Sequence, residues 1–221
     1  PTGSGNPASN GKVYSRTVRT WAVRVGNNST VRFVKGGNQA HDNGGINGGD
    51  NCKFSHCLGV GSPIHDILAA SGEMDVCVSY TPILDDRTGF IKLEFYRGSA
   101  GGHTGIFRRC IAVGESGSTG SGMGGHTAPP SDDSDRYDFV GMYDCLCYNC
   151  DINFDDVVDI RTERCRVYDG RYRAVSGSAS GTVKHIDPFV EMTGAVTSAT
   201  LDAGGLAQSG GSTTVVEGLR A

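Results

Sequence analysis

Two short runs of strict alternation, Met74 to Tyr80 and Phe90 to Tyr96, constrain the fold of this chain more than any other feature. In the first, apolar Met74, Val76, Val78 and Tyr80 alternate with Asp75, Cys77 and Ser79. In the second, Phe90, Lys92, Glu94 and Tyr96 alternate with Ile91, Leu93 and Phe95. A period of two, bounded by Pro and Gly, is the pattern of a half-buried β-strand. Pro82 has no N–H to give a ladder and stops the first run. Asp85, Asp86 and Gly89 supply turn chemistry before the second. Val76, Val78, Tyr80, Ile91, Leu93 and Phe95 are the expected core.

The same alternation recurs along the chain. Val13 to Val25 alternates, Gly26-Asn27-Asn28 is a turn signal, and Thr30 to Lys35 follows, which predicts a hairpin. Gly36 to Asn51 is so rich in Gly and Asn that it reads as a surface loop. Pro63 to Ala70 reads as a short helix. Phe107 to Val113, Asp138 to Tyr148, Val157 to Tyr168, Tyr172 to Val175 and Thr182 to Thr197 are further strand candidates. A second long loop is expected over Glu115 to Asp135. No internal repeat is evident. These elements predict one all-β domain over residues 13–197, with an N-terminal arm (1–12) and a C-terminal arm (198–221).

Composition supports that reading. Gly accounts for 34 of 221 residues against only 7 Pro, which suits short strands joined by tight turns. No apolar run is long enough for a membrane-spanning helix. The formal net charge of −4 argues against a general nucleic-acid-binding surface. The chain opens on Pro1 without a charged, then apolar, leader, so no signal peptide is expected. Cleavage from a polyprotein would give such a start, and so would removal of a signal peptide.

Val78, Tyr80, Pro82, Thr88, Gly89, Ile91, Leu93 and Phe95 fall into a Y-x-P, T-G, apolar-strand pattern. This segment resembles the middle of the jelly-roll coat proteins of small icosahedral positive-strand RNA viruses, picorna-like and including those of plants. The resemblance implies a single jelly-roll antiparallel β-sandwich of about eight strands with long Gly-rich loops. It also implies a structural, non-enzymatic role as a capsid subunit in the virion, assembled in the host cytoplasm. The implied partners are copies of the chain or sibling capsid subunits, with packaged RNA held weakly or indirectly. The alternative from another class is a secreted, disulfide-containing β-sandwich that binds carbohydrate or a surface receptor.

No catalytic, cofactor-binding or metal-ligating residue is assigned. Cys145, Cys147 and Cys150 form the densest thiol cluster, and soft thiolates suit zinc, with Cys165 or Cys52 as a fourth ligand. A strand followed by a turn explains the same spacing. Cys52 and Cys57 read as packed thiols, and Cys77 and Cys110 as small buried hydrophobes. His41, His103 and His126 lie in Gly-rich stretches and read as solvated, while His56, His65 and His185 sit near apolar runs and read as structural. Asp132, Asp133 and Asp135, and Asp155-Asp156, lack the spacing of a calcium loop. Asn27-Asn28-Ser29-Thr30 holds two overlapping glycosylation sequons that matter only in a secreted chain.

Overall fold

The computed structural model describes residues 21–37, 44–61, 65–80, 91–97, 103–114, 121–127, 137–176, 182–191, 200–201 and 213–217. The chain winds in successive coils, each laying down three short strands. The first coil is β1 (Trp21–Arg24), β2 (Thr30–Arg32) and β3 (Lys35–Gly36). The second is β4 (Gly44–Gly48), β5 (Cys52–Ser55) and β6 (Leu58–Val60). The third is β7 (Ile67–Ala69), β8 (Gly72–Asp75) and β9 (Val78–Tyr80). The fourth is β10 (Ile91–Arg97), β11 (His103–Arg108) and β12 (Ile111–Val113). The fifth is β13 (Ser121–Thr127), β14 (Tyr137–Tyr143) and β15 (Leu146–Tyr148). Next comes β16 (Asp151–Glu163), which runs without a break through two positions, and β17 (Arg166–Tyr168). The path continues through β18 (Arg171–Ser176), β19 (Thr182–Ile186), β20 (Phe189–Glu191), β21 (Thr200–Leu201) and β22 (Thr213–Glu217).

Equivalent strands of successive coils pair in parallel and build three faces. The first face runs β1-β4-β7-β10-β13, then the front half of β16, β18 and β21. The second runs β2-β5-β8-β11-β14, then the back half of β16, β19 and β22. The third runs β3-β6-β9-β12-β15-β17-β20. This is a parallel β-helix, a solenoid in which each coil buries its apolar side against the next.

The corner between the second and third faces is made by one residue per coil in the left-handed backbone region: Phe33, His56, Val76, Arg109, Asp144, Arg164 and Asp187. A single left-handed residue turns the chain sharply while the flanking residues stay extended. It also resets the alternation. Met74 points inward, Val76 takes the corner at φ 52°, and Cys77 and Ser79 then point inward. Val78 is therefore only partly buried, and Tyr80 is 48% exposed.

The core is a set of columns running along the axis. On the second face Val31, Phe54, Met74, Phe107, Met142, Thr162 and His185 follow one another in register. On the first face Ile46, Ile67, Leu93, Met123 and Ile152 do the same, all fully buried. The inner column of the third face grows in size along the rod: Gly36, Gly59, Ser79, Ala112, Cys147, Val167. At its narrow end a Cβ on Gly36 would stand 2.6 Å from Ile46 Cγ1, so the small residue admits the isoleucine opposite.

All-β character is found, but the antiparallel jelly-roll sandwich of about eight strands is not. All the strand pairs are parallel, and period-two alternation is identical for either strand direction. The predicted hairpin is also replaced: β1 and β2 pair with β4 and β5 of the next coil, not with each other. The stretch expected as a Gly/Asn surface loop contains β4, whose Ile46 is fully buried. The stretch expected as a helix contains strand β7, with Pro63 and Ile64 outside the described residues. The second expected loop contains β13. An internal repeat exists after all, disguised by insertions of different length. Of the expected core, Leu93 and Phe95 are fully buried, whereas Val76, Val78 and Tyr80 occupy the corner and the outer face. The side chain of Ile91 lies outside the described set.

Candidate binding face

The cysteines take their places from the repeat. Cys57, Cys77, Cys110, Cys145 and Cys165 each follow the left-handed corner residue of their coil, and all are buried and free. They stack on consecutive coils, joined by backbone bonds such as Ile111 N–H to Cys77 O (2.9 Å) and Leu146 N–H to Cys110 O (2.9 Å). Each thiol also meets the carbonyl two residues before it, as Cys145 does that of Tyr143 at 3.3 Å. The expected dense cluster is thereby split. Cys145 belongs to this column, Cys147 to the inner column of the third face, and Cys150 lies past the next corner, against Ala112 O at 3.4 Å. Among the described residues no group of three or more His, Cys, Asp or Glu side chains is arranged to hold a metal ion.

Four of the thiols, Cys57, Cys77, Cys145 and Cys147, are raised above the ordinary range, whereas against its burial Cys110 is lowered by hydrogen bonds with Cys145 and Cys77. A hydrogen bond that Cys77 donates to Cys110, with burial, pushes Cys77 up to about 12. Burial above all holds Cys145 and Cys147 well above the ordinary thiol range. Thiolate is the reactive and metal-binding form, so the raised thiols disfavour both chemistries.

The described histidines and acids are mostly built into the rod. His65 Nδ1 lies 2.7 Å from Glu94 Oε2, both side chains buried, and Trp21 stacks over His65 at 6.1 Å. Ser79 donates to Asp66 Oδ2 at 2.5 Å inside the rod. His56 is exposed at the corner, stacked on Phe33 at 5.0 Å. His103 Nδ1 is 3.8 Å from Asp50 Oδ1. Asn27 and Asn28 sit on an exposed corner, where Asn27 Oδ1 accepts from Asp50 N–H and Asn28 Oδ1 from Asn51 Nδ2. His41 and the acidic run 132–135 lie outside the described residues, as do the side chains of His126, Asp155 and Asp156.

The outer side of the third face is different in kind. One outward column reads Lys35, Leu58, Val78, Ile111, Leu146, Arg166, Phe189. The column beside it reads Val60, Tyr80, Val113, Tyr148, Tyr168. Tyr80, Ile111 and Tyr148 are 48%, 36% and 39% exposed. Towards the last coils the rings form a platform: Tyr148 and Tyr168 centroids are 6.1 Å apart, and Tyr168 and Phe189 are 5.5 Å apart. A contiguous exposed apolar surface of this kind marks an interaction site more often than chance.

A ridge of paired charges borders this face along the left-handed corner. Arg109 grips both carboxylate oxygens of Asp75 at 2.7 Å. Arg164 Nε and Nη2 reach Asp144 at 2.6 and 2.9 Å, and Arg164 also bonds to Glu163. The Arg164 guanidinium holds the Asp144 carboxyl below the usual carboxylate range. Between this ridge and the platform runs a shallow groove lined by Asp144, Cys145, Leu146, Arg164, Arg166, Tyr168, Asp187 and Phe189.

The sequence reading missed this face because it counted Tyr80 and Val78 as core. The signal that marks it is a four-residue motif starting at each corner cysteine. It reads C-L-G-V at Cys57, C-V-S-Y at Cys77, C-I-A-V at Cys110, C-L-C-Y at Cys145 and C-R-V-Y at Cys165. Its second and fourth residues face out. No family model, curated protein or solved structure matches the chain.

Proposed function

We propose that this chain is a binding module that holds an extended polysaccharide along the outer side of its third face. The observation that carries the reading is the in-register run Tyr80, Val113, Tyr148, Tyr168, in which Tyr80 and Tyr148 are exposed, beside the paired-charge ridge. Tyrosine presents a flat apolar ring with a polar tip. A sugar ring has C–H faces that stack on such rings and a hydroxyl rim that hydrogen-bonds to carboxylates and guanidinium groups beside them.

Dimensions favour a narrow ligand over a globular partner. Strands about three residues long and seven rungs at about 4.8 Å give a ribbon roughly 10 Å wide and 30 Å long. Its flat area of about 300 Å² is well below the roughly 800 Å² per partner of a stable protein–protein interface. The coat-subunit reading rests on the Tyr80-Pro82-Thr88-Gly89 resemblance, and the jelly roll which that resemblance implied is not the fold found here. No described helix is long and apolar enough to cross a membrane.

Affinity electrophoresis through gels containing single polysaccharides tests the proposal. Retardation is expected in at least one gel, and Tyr148→Ala should reduce it while leaving the unfolding temperature within a degree or two. Absence of retardation in every gel, with particles of megadalton mass by light scattering at physiological salt, would overturn the reading in favour of a shell subunit.

A further inference from the structure

Building on the polysaccharide reading of the third face, we infer that the sugar chain it takes is acidic and that Arg166 is the residue that recognises its anionic group. The four arginines on or beside the ridge are committed. Arg108 is paired with Glu73, Arg109 with Asp75, Arg161 with Glu163, and Arg164 with Asp144 and Glu163. Arg166 is exposed and has no carboxylate partner among the described residues. It stands in the outward column between Leu146 and Phe189, next to Tyr168, and lines the groove beside the ridge. An unpaired guanidinium set among apolar side chains is a poor choice for packing and a good one for an oxyanion, to which it offers a fork of donors.

The charge of the face agrees. The chain as a whole carries −4. Yet the described outward positions of the third face contribute Lys35 at one end and Arg166 near the other, while Asp144, one of the two acids lining the groove with Asp187, is already paired with Arg164. The chemistry recognised is a carboxylate or sulfate ester on a sugar. Two basic residues along the whole face are too few for a nucleic-acid strand, whose phosphates need a continuous basic track.

The test is isothermal titration of the whole chain with four probes: an oligogalacturonide, a sulfated oligosaccharide, a neutral cello-oligosaccharide and a single-stranded oligonucleotide. Arg166→Gln is compared with Arg161→Gln, an exposed arginine of the second face, and with Tyr148→Ala; circular dichroism verifies folding. One of the acidic sugars should bind at least about tenfold more tightly than the neutral one, as expected for a charge-assisted pair. Arg166→Gln should remove that preference and Arg161→Gln should not. Which acidic probe wins identifies carboxylate or sulfate as the group read. Equal binding of neutral and acidic sugars, unchanged in Arg166→Gln but weakened in Tyr148→Ala, would overturn this inference and leave the face reading standing. No binding of any sugar would remove both. Preference for the oligonucleotide would overturn the inference in favour of a nucleic-acid ligand.

Discussion

Thr162 Oγ1 and His185 Nδ1 share a hydrogen bond of 2.6 Å between adjacent rungs, inside the core of the second face. Both side chains are fully buried. They continue the column that begins Val31, Phe54, Met74, so the apolar stack changes here to a polar pair. Burial depresses His185 to about 4, from an ordinary value of 6.5.

A pH dependence follows from that depression. The folded chain keeps His185 neutral, whereas the unfolded chain protonates it below about 6.5. Stability from this group is complete above that value and falls as pH drops towards 4, by up to about 1.4 kcal/mol per pH unit. Urea titrations at intervals from pH 7.5 to 4 should show this slope. His185→Gln should reduce it by about one proton. An unchanged slope would show that His185 titrates normally.

Burial of the thiol column predicts slowly reacting cysteines. Parallel in-register strands hold equivalent Cβ atoms about 4.8 Å apart, beyond the roughly 3.5–4.5 Å that a disulfide spans. Ellman's reagent should therefore label the native chain slowly and all eight cysteines at once in denaturant. Mild oxidation should leave the intact mass unchanged. Rapid labelling of Cys77 or Cys145 in the native state would contradict the burial of this column.

Val76 holds the left-handed corner of its coil at φ 52°, where equivalent coils use Asp144, Arg164 and Asp187. A β-branched residue is strained in that region, at a cost of about 1–2 kcal/mol, which Asn largely avoids. Its side chain is only partly buried. Val76→Asn should therefore raise stability by about 1 kcal/mol, read as a higher unfolding midpoint in urea. A lower midpoint would mean that lost packing outweighs the relief of strain.

Phe95 and Phe107 meet with ring centroids 4.6 Å apart, bringing the first and second faces together. Both rings are fully buried, and Gly105 leaves the space that Phe95 fills. Phe95→Ala should cost about 3–5 kcal/mol. Tyr80→Ala, on the exposed outer column, should stay within about 0.5 kcal/mol of zero. Similar losses for the two would refute the inner and outer assignment.

Much of this architecture was legible at the level of single strands. Leu93 and Phe95 announce a buried face by their spacing alone, and so do Trp21 and Val23. What alternation does not carry is direction, because a side chain points in or out identically in parallel and antiparallel ladders. The corners were hidden for another reason. A sharp turn is sought at Gly, Asn or Asp, and here Phe33, His56, Val76, Arg109 and Arg164 make it. The repeat was obscured by insertions. Thr162 and His185 are equivalent residues 23 apart, Asp144 and Arg164 are equivalent and 20 apart, and the coils from Val76 to Arg109 and from Arg109 to Asp144 carry longer excursions. The binding face was misjudged through the same corner residue, since Val76 reverses the phase and turns Tyr80 outward.

Because every coil between one left-handed corner and the next repeats the same contacts, a coil is a removable part. Joining Asp144 directly to Cys165 would place Cys165 against Cys110 just as Cys145 lies now. The rod would shorten by about 4.8 Å and the outer platform would lose one rung. Length in such a molecule is a dial that duplication or deletion can turn in whole steps. On the polysaccharide reading proposed above, the number of sugars held would then be counted in coils.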